Sequence, residues 1–302
     1  MKLTEDYAPI VLFVFARPNH TQETIDALLL NPEAKKSDLI VYSDAPRNES
    51  DKEEVNKVRN ILANISGFKS IRITHREENY GLARNIMEGI SEVFEKYDKV
   101  IILEDDIVTS PAFLNFINAG LNRYERDSKV WHISGWNFPI EYNVPHSAYF
   151  WRTMNCWGWA TWRNRWQHFS RNPSQLIATW DKDCIEKFNL DGCQDFWSQV
   201  LANNKGSLNT WAVFWYATIF KNKGLCLNPT HSYVYNIGND GSGENCGKFD
   251  PYRSKLNLNT SYEWPITLSE DENIVDLNKK FYLTLQPSLA RRLYSKIKRT
   301  FL

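Results

Sequence analysis

The sequence predicts an α/β fold with a doubly wound, Rossmann-like and mostly parallel sheet, and three observations lead there. Short apolar runs alternate with helically periodic stretches in the order β-α-β-α-β-α-β within about the first hundred residues. The runs are near-continuously apolar, as strands covered on both faces require. Beyond residue 130 short strands continue without a linker or low-complexity stretch, so a second half adds to the same core.

The elements follow in order. Pro9 to Ala16 reads as the first buried strand and runs into the loop at Arg17-Pro18; Thr21 to Leu30 is helical. Asp38 to Ser43 is the second strand, with Asp44 at its carboxyl end. Asp51 to Ile65 carries Val55, Val58, Ile61, Leu62 and Ile65 at helical spacing, and Lys69 to His75 alternates as a strand. Leu82 to Tyr97 is a helix with Ile86, Ile90, Val93 and Phe94 on one face, and Lys99 to Leu103 is the fourth strand, ending at Glu104-Asp105-Asp106. This divides the chain into residues 1–130, a half that binds its ligand outside the strand ends; residues 131–270, which suit an acceptor-binding half on the same sheet; and a tail, residues 271–302. In the tail, Leu289, Leu293, Ile297 and Phe301 recur every fourth residue beside Arg291, Arg292, Lys296, Lys298 and Arg299. A basic amphipathic helix of that kind suits peripheral contact with anionic lipid.

Composition narrows the function. Lysine plus arginine and aspartate plus glutamate each number 36 in 302 residues, so no net charge draws the chain to nucleic acid. Five cysteines without a CxxC pair fit neither a disulfide framework nor a zinc site. No basic segment precedes the first apolar run, and that run is too short to span a bilayer; the expectation is a cytoplasmic protein, held at the inner face of the plasma membrane if the tail engages lipid. Twelve tryptophans, six of them between Trp131 and Trp162, suit both a core and sugar binding.

Three acids in a row arise about 0.5 times by chance in a chain of this composition, so the string alone says little. Its position says more: carboxylates just past the end of a buried parallel strand stand where such sheets bind ligands. Crowded carboxylates are relieved by a cation, and hard oxygen donors suit Mn²⁺ or Mg²⁺ sharing its shell with substrate phosphate oxygens. The substrate implied is a diphosphate. No G-x-G-x-x-G follows the first strand, which disfavours a dinucleotide site.

At this point the segments IILEDDIVTSPAFLNF, VWHISGWNFP and CWGWATW, with Thr210 to Ala217 and Asn236 to Gly243, can be taken together. In that order, from about residue 9 to 250, they resemble the GT-A glycosyltransferases related to the N-acetylglucosaminyltransferase I family, most of all bacterial relatives from polysaccharide gene clusters. The resemblance implies an inverting, metal-dependent transferase moving a sugar, such as N-acetylglucosamine, from a UDP-sugar to a glycan or lipid-linked glycan in surface polysaccharide (O-antigen) synthesis. It implies Arg17 and Asp44 as nucleotide contacts, Asp106 as metal ligand, and Glu104 and Asp105 near the ribose. Asn79, Gly81, Arg84 and Asn85, at a helix start, join the donor side, with Asn79 as the alternative helix cap. Trp136, Asn137, Trp157 and Trp159 are the acceptor candidates, while Trp162 and Trp166 read as core. An inverting transferase needs a base for the acceptor hydroxyl; where relatives carry acids after a Trp, Trp211 is followed here by Ala212 and Val213, so Asp240 in a Gly-rich loop comes first and Asp195 second. The alternatives are a sugar-phosphate nucleotidyltransferase, disfavoured because Ala16 to Thr21 holds no glycine, and a non-catalytic carbohydrate-binding protein.

Overall fold

The computed structural model describes residues 7–239 and 250–285. Asp240 and the basic stretch Leu289–Leu302 lie outside the described residues. Four strands, β1 (Ile10–Val14), β2 (Asp38–Ser43), β3 (Ser70–His75) and β4 (Lys99–Glu104), pair in parallel in the order β3-β2-β1-β4. Every residue of β1 is buried, as an apolar strand covered on both sides should be, whereas β3 at the sheet edge alternates and stays partly exposed. Helices α1 (Pro18–Leu29), α2 (Lys52–Ala63) and α3 (Gly81–Val93) form the crossovers. Proline opens α1, where its missing N–H costs nothing and its φ is already helical.

The second half departs from a parallel sheet. After β5 (Ile107–Thr109) and α4 (Phe113–Tyr124) come β6 (Val130–Ser134), β7 (Ala148–Trp151), β8 (Trp159–Trp162), β9 (Leu225–Pro229) and β10 (Val234–Asn236). Strand β8 pairs antiparallel with both β4 and β6, β9 runs parallel to β6, and β7 closes the edge antiparallel to β9. The eight-stranded order is β3-β2-β1-β4-β8-β6-β9-β7, while β5 and β10 pair as a separate ribbon. The sheet is mostly parallel, as expected: six of its eight strands share one direction, and only β8 and β7 run against them.

One apolar cluster runs from Ala8 to Val275, so both halves share a core. The helix Glu272–Leu285, at the start of the expected tail, is tied into it: Ile274 and Val275 are buried, and Asn278 exchanges hydrogen bonds with Tyr142 (2.5 Å) and Tyr149 (3.0 Å). Among the described residues no helix is long and apolar enough to cross a membrane.

Candidate active site

Parallel register delivers three chain segments to one rim. Val14 pairs with Ser43 and Phe13 with Glu104, so the residues after β1, β2 and β4 leave the sheet side by side. They carry Arg17, Asp44 and the acidic triplet, and all five side chains line a single cleft of about 410 Å³. A concavity outside the carboxyl ends of parallel strands is the expected ligand position in an open α/β sheet.

Within it, Arg17 bridges two acids. Its guanidinium contacts the Asp105 carboxylate and lies 3.0 Å from Asp106 Oδ2. Burial opposes the Arg17 charge, but Asp105 and Asp106 outweigh it and move its pKa up. The other Asp105 oxygen accepts the Phe15 N–H at 3.1 Å, so this residue ties the end of β4 to the end of β1. Burial first, and then the Asp105 charge, raises the Asp106 pKa; burial with Asp106 and Asp105 pushes Glu104 up to about 8. Burial and mutual repulsion thus disfavour full ionisation of the triplet, and a divalent cation is the kind of group that would relieve that crowding. Asp105 is tied both to Arg17 and to the β1 backbone, so Asp106, which meets Arg17 through Oδ2, would be the carboxylate to hold one. Among the described residues no three His, Cys, Asp or Glu side chains form a closed metal cage, so the rest of the shell would come from substrate and water.

Asp44 is buried and fully occupied as an acceptor. Oδ1 receives the N–H groups of Ala45 and Tyr80, both at 2.9 Å; Oδ2 receives Gly81 N–H at 2.9 Å and the Asn79 amide at 3.3 Å. The start of α3 is therefore capped from another loop by Asp44, while the Asn79 amide donates to Ala45 O at 2.6 Å instead of capping. Replacing Asp44 by Ala removes the acceptor of four buried or part-buried donors, and urea unfolding should show a loss of about 3 kcal/mol. Unchanged stability would show that these bonds are not formed in solution.

The remaining candidates separate. Asn79, Gly81 and Asn85 line the cleft, but Arg84 points outward, salt-bridged to Glu78 and Glu88 and stacked on Tyr80. Of the four acceptor candidates only Trp157 lines the cleft. Trp136, 2% exposed, supports it edge-on at 5.1 Å between centroids. Asn137 is fully buried, donating to Thr230 O and accepting from the Tyr149 hydroxyl at 2.7 Å, and no sugar can reach it. Trp159, 1% exposed in β8, is sandwiched between His132 and Trp211. Trp162 and Trp166 are core as expected. Asp195 is exposed and caps the helix Trp197–Asn204 through Ser198 N–H at 3.1 Å; it does not line the cleft. The sequence reading passed over Arg47 and Asp51, ion-paired at 2.7 Å, and Cys156, Thr210 and Asn236, all of which line the cleft. Arg47 was findable, since it shares the loop after β2 with Asp44.

A family model described as the GNT-I family matches residues 1–194. The alpha-1,3-mannosyl-glycoprotein 2-beta-N-acetylglucosaminyltransferase of Arabidopsis thaliana is 24% identical over 198 residues, covering 62% of this chain but only 44% of that relative. Among solved structures, TarS of S. aureus is similar with a TM-score of 0.44 at 9% identity, covering 78% of this chain and 37% of that one. A mannosyltransferase from Pyrobaculum calidifontis, in complex with GDP-Man and Mn2+, gives 0.38 at 11% identity, with coverage of 72% and 70%. The family match extends over well more than half of the sequence, and the chain belongs to the GNT-I family.

Proposed function

We propose that this protein is an inverting, divalent-metal-dependent glycosyltransferase that transfers N-acetylglucosamine from UDP-N-acetylglucosamine to a carbohydrate acceptor in surface polysaccharide assembly. The observation that carries the reading is the convergence of Arg17, Asp44 and Glu104-Asp105-Asp106 on one cleft in a chain of the GNT-I family. The name of the plant relative supports the choice of sugar.

In this reading the nucleotide lies along the ends of β1, β2 and β4. Asp44 and Asn79 hold the wall beside the base, and the half-buried Arg17 offers its guanidinium to the diphosphate once drawn from Asp105 and Asp106. Asp106 would hold a divalent metal, which when bound would supply charge neutralisation for the departing diphosphate. The acceptor hydroxyl oxygen attacks the anomeric carbon as the bond to the phosphate oxygen breaks, and the hydroxyl proton passes to a carboxylate. Since Asp195 lies away from the cleft, Asp240, two residues along the chain from Gly238, is the proposed base. Trp157 takes the acceptor. For the tail Leu289–Leu302 we keep contact with anionic lipid at the inner face of the plasma membrane as the proposed role.

The test is Mn²⁺-dependent hydrolysis of a panel of UDP-sugars, repeated with Asp240→Asn. UDP binding that is absent, or indifferent to Mn²⁺, would refute the transferase. Gly238 gives a finer check, because a Cβ there would sit 2.5 Å from Asp106 Oδ2 and 3.2 Å from Arg17 Nη1. Gly238→Ala is expected to weaken Mn²⁺-dependent UDP binding about 10–100-fold without unfolding the protein. Calorimetry would read it, and wild-type affinity would place the metal elsewhere.

A further inference from the structure

A second groove, about 630 Å³, lies at the opposite corner of the sheet, bordered by Trp180, Phe220, Lys187, Lys221, Lys223 and the Arg152–Glu270 pair. Register sets the separation. Trp159 at the start of β8 pairs with Ile102 and with Ser134 at the end of β6, while Leu225 at the start of β9 pairs with Val130 at the beginning of β6. The start of β9 is therefore at the sheet end away from the triplet, and three strand spacings of ~4.8 Å lie between β9 and β4. The two concavities share no lining residue.

Three independent features mark this groove. First, the described residues contain only three non-glycine positions with left-handed backbone, Leu190 (φ 52°), Asp191 (φ 54°) and Lys223 (φ 53°); two line the groove and the third adjoins it. Such residues each cost about 1 kcal/mol or more and concentrate where function requires them. Lys223 follows the helix Ala212–Lys221 at the position usually given to glycine, in a closure where Gly224 N–H reaches Ile219 O at 2.9 Å. A Cβ on Gly224 would meet the Trp131 ring at 2.7 Å, so the turn that presents Lys223 is fixed by the core.

Second, the positive charges are uncompensated. Both groove acids are taken, Glu270 by Arg152 at 2.9 Å and Asp191 by Lys279 at 2.5 Å. Among the described residues no carboxylate lies within ion-pair distance of the ammonium groups of Lys187, Lys221 or Lys223. Third, aromatic surface borders the same space: Trp180, stacked on Trp197 at 5.6 Å between centroids, and Phe220. Three like charges beside aromatic rings match a ligand that is anionic and carries an apolar ring face.

We propose that this groove is a distal subsite for an acidic glycan, with a sugar ring against Trp180 and Phe220 and its carboxylate or phosphate among Lys187, Lys221 and Lys223. The glycan character rests on the transferase reading above; the anion preference rests on the lysines alone. Calorimetry with a hyaluronan hexasaccharide, with uncharged chitohexaose, and with inorganic phosphate tests it. Wild-type protein should bind the hyaluronan oligosaccharide and not chitohexaose. The double variant Lys221→Glu, Lys223→Glu, at two exposed positions away from the cleft, should bind it about tenfold more weakly or worse, with Mn²⁺–UDP binding unchanged. No binding by wild type, or equal binding by the double variant, overturns the subsite. Phosphate binding as tight as the oligosaccharide, with Trp180→Ala silent, overturns its glycan character. Absence of Mn²⁺–UDP binding in the wild type, with the oligosaccharide result intact, would count against the transferase reading and leave the anion site standing.

Discussion

Asp106→Asn is expected to reduce turnover of the UDP-sugar donor by about a thousandfold while the protein folds normally. The asparagine keeps size and shape but removes the charge that would hold a divalent ion, and Lewis-acid stabilisation of a departing phosphate is worth several kcal/mol, each 1.36 kcal/mol being tenfold in rate. The fold should tolerate the change, and a small gain in stability is expected: Asp106 is a buried carboxylate repelled by Asp105, so its neutral replacement removes a cost of folding. Arg17 keeps its contact with Asp105. Donor hydrolysis with Mn²⁺ and urea unfolding, measured together, check both halves. Retained turnover would mean that the triplet is an ordinary acidic turn and would remove the catalytic reading; lost turnover with a collapsed fold would assign Asp106 to structure.

The second large effect separates two tryptophans that are two residues apart. Trp159→Ala should cost about 3–5 kcal/mol in unfolding free energy, because the indole is enclosed between the His132 ring, 5.1 Å away, and Trp211, 5.4 Å away, and nothing can fill the cavity left behind. Trp157→Ala should cost far less stability and should raise the acceptor KM, since this ring borders the cleft. Chemical denaturation and acceptor kinetics on the pair read out the contrast. Equal destabilisation would show that both rings are simply core.

Much of the donor half was legible because its signals are local. The apolar runs at residues 10–14, 38–43 and 99–104 can only be buried strands, and helical periodicity places α2 and α3 to within a few residues. The carboxyl-end rule then gathers Arg17, Asp44 and the triplet without further information. What could not be read depends on contacts remote in sequence. Arg84 and Asn85 are neighbours in the chain, but a turn of about 100° per residue sends one to solvent and the other to the cleft. Asn137 in S-G-W-N looks exposed until Tyr142, Tyr149 and Thr230 hold it. Tryptophan serves core and sugar equally well by composition, so only burial separates Trp157 from Trp159. The cap on α3 comes from Asp44, 37 residues before Gly81, and no helix-start signal records it.

The bridge between Arg17 and Asp105 joins residues 88 apart in the chain. It can close only after β1 and β4 have paired, and the loop-closure entropy of parallel strands must be met before any of their contacts is rewarded. The donor binding proposed above should therefore be a late event in folding. During renaturation from urea, tryptophan fluorescence from the second half can recover early, but the capacity to bind nucleotide should return only with the slowest phase, making a UDP analogue a kinetic reporter of sheet completion.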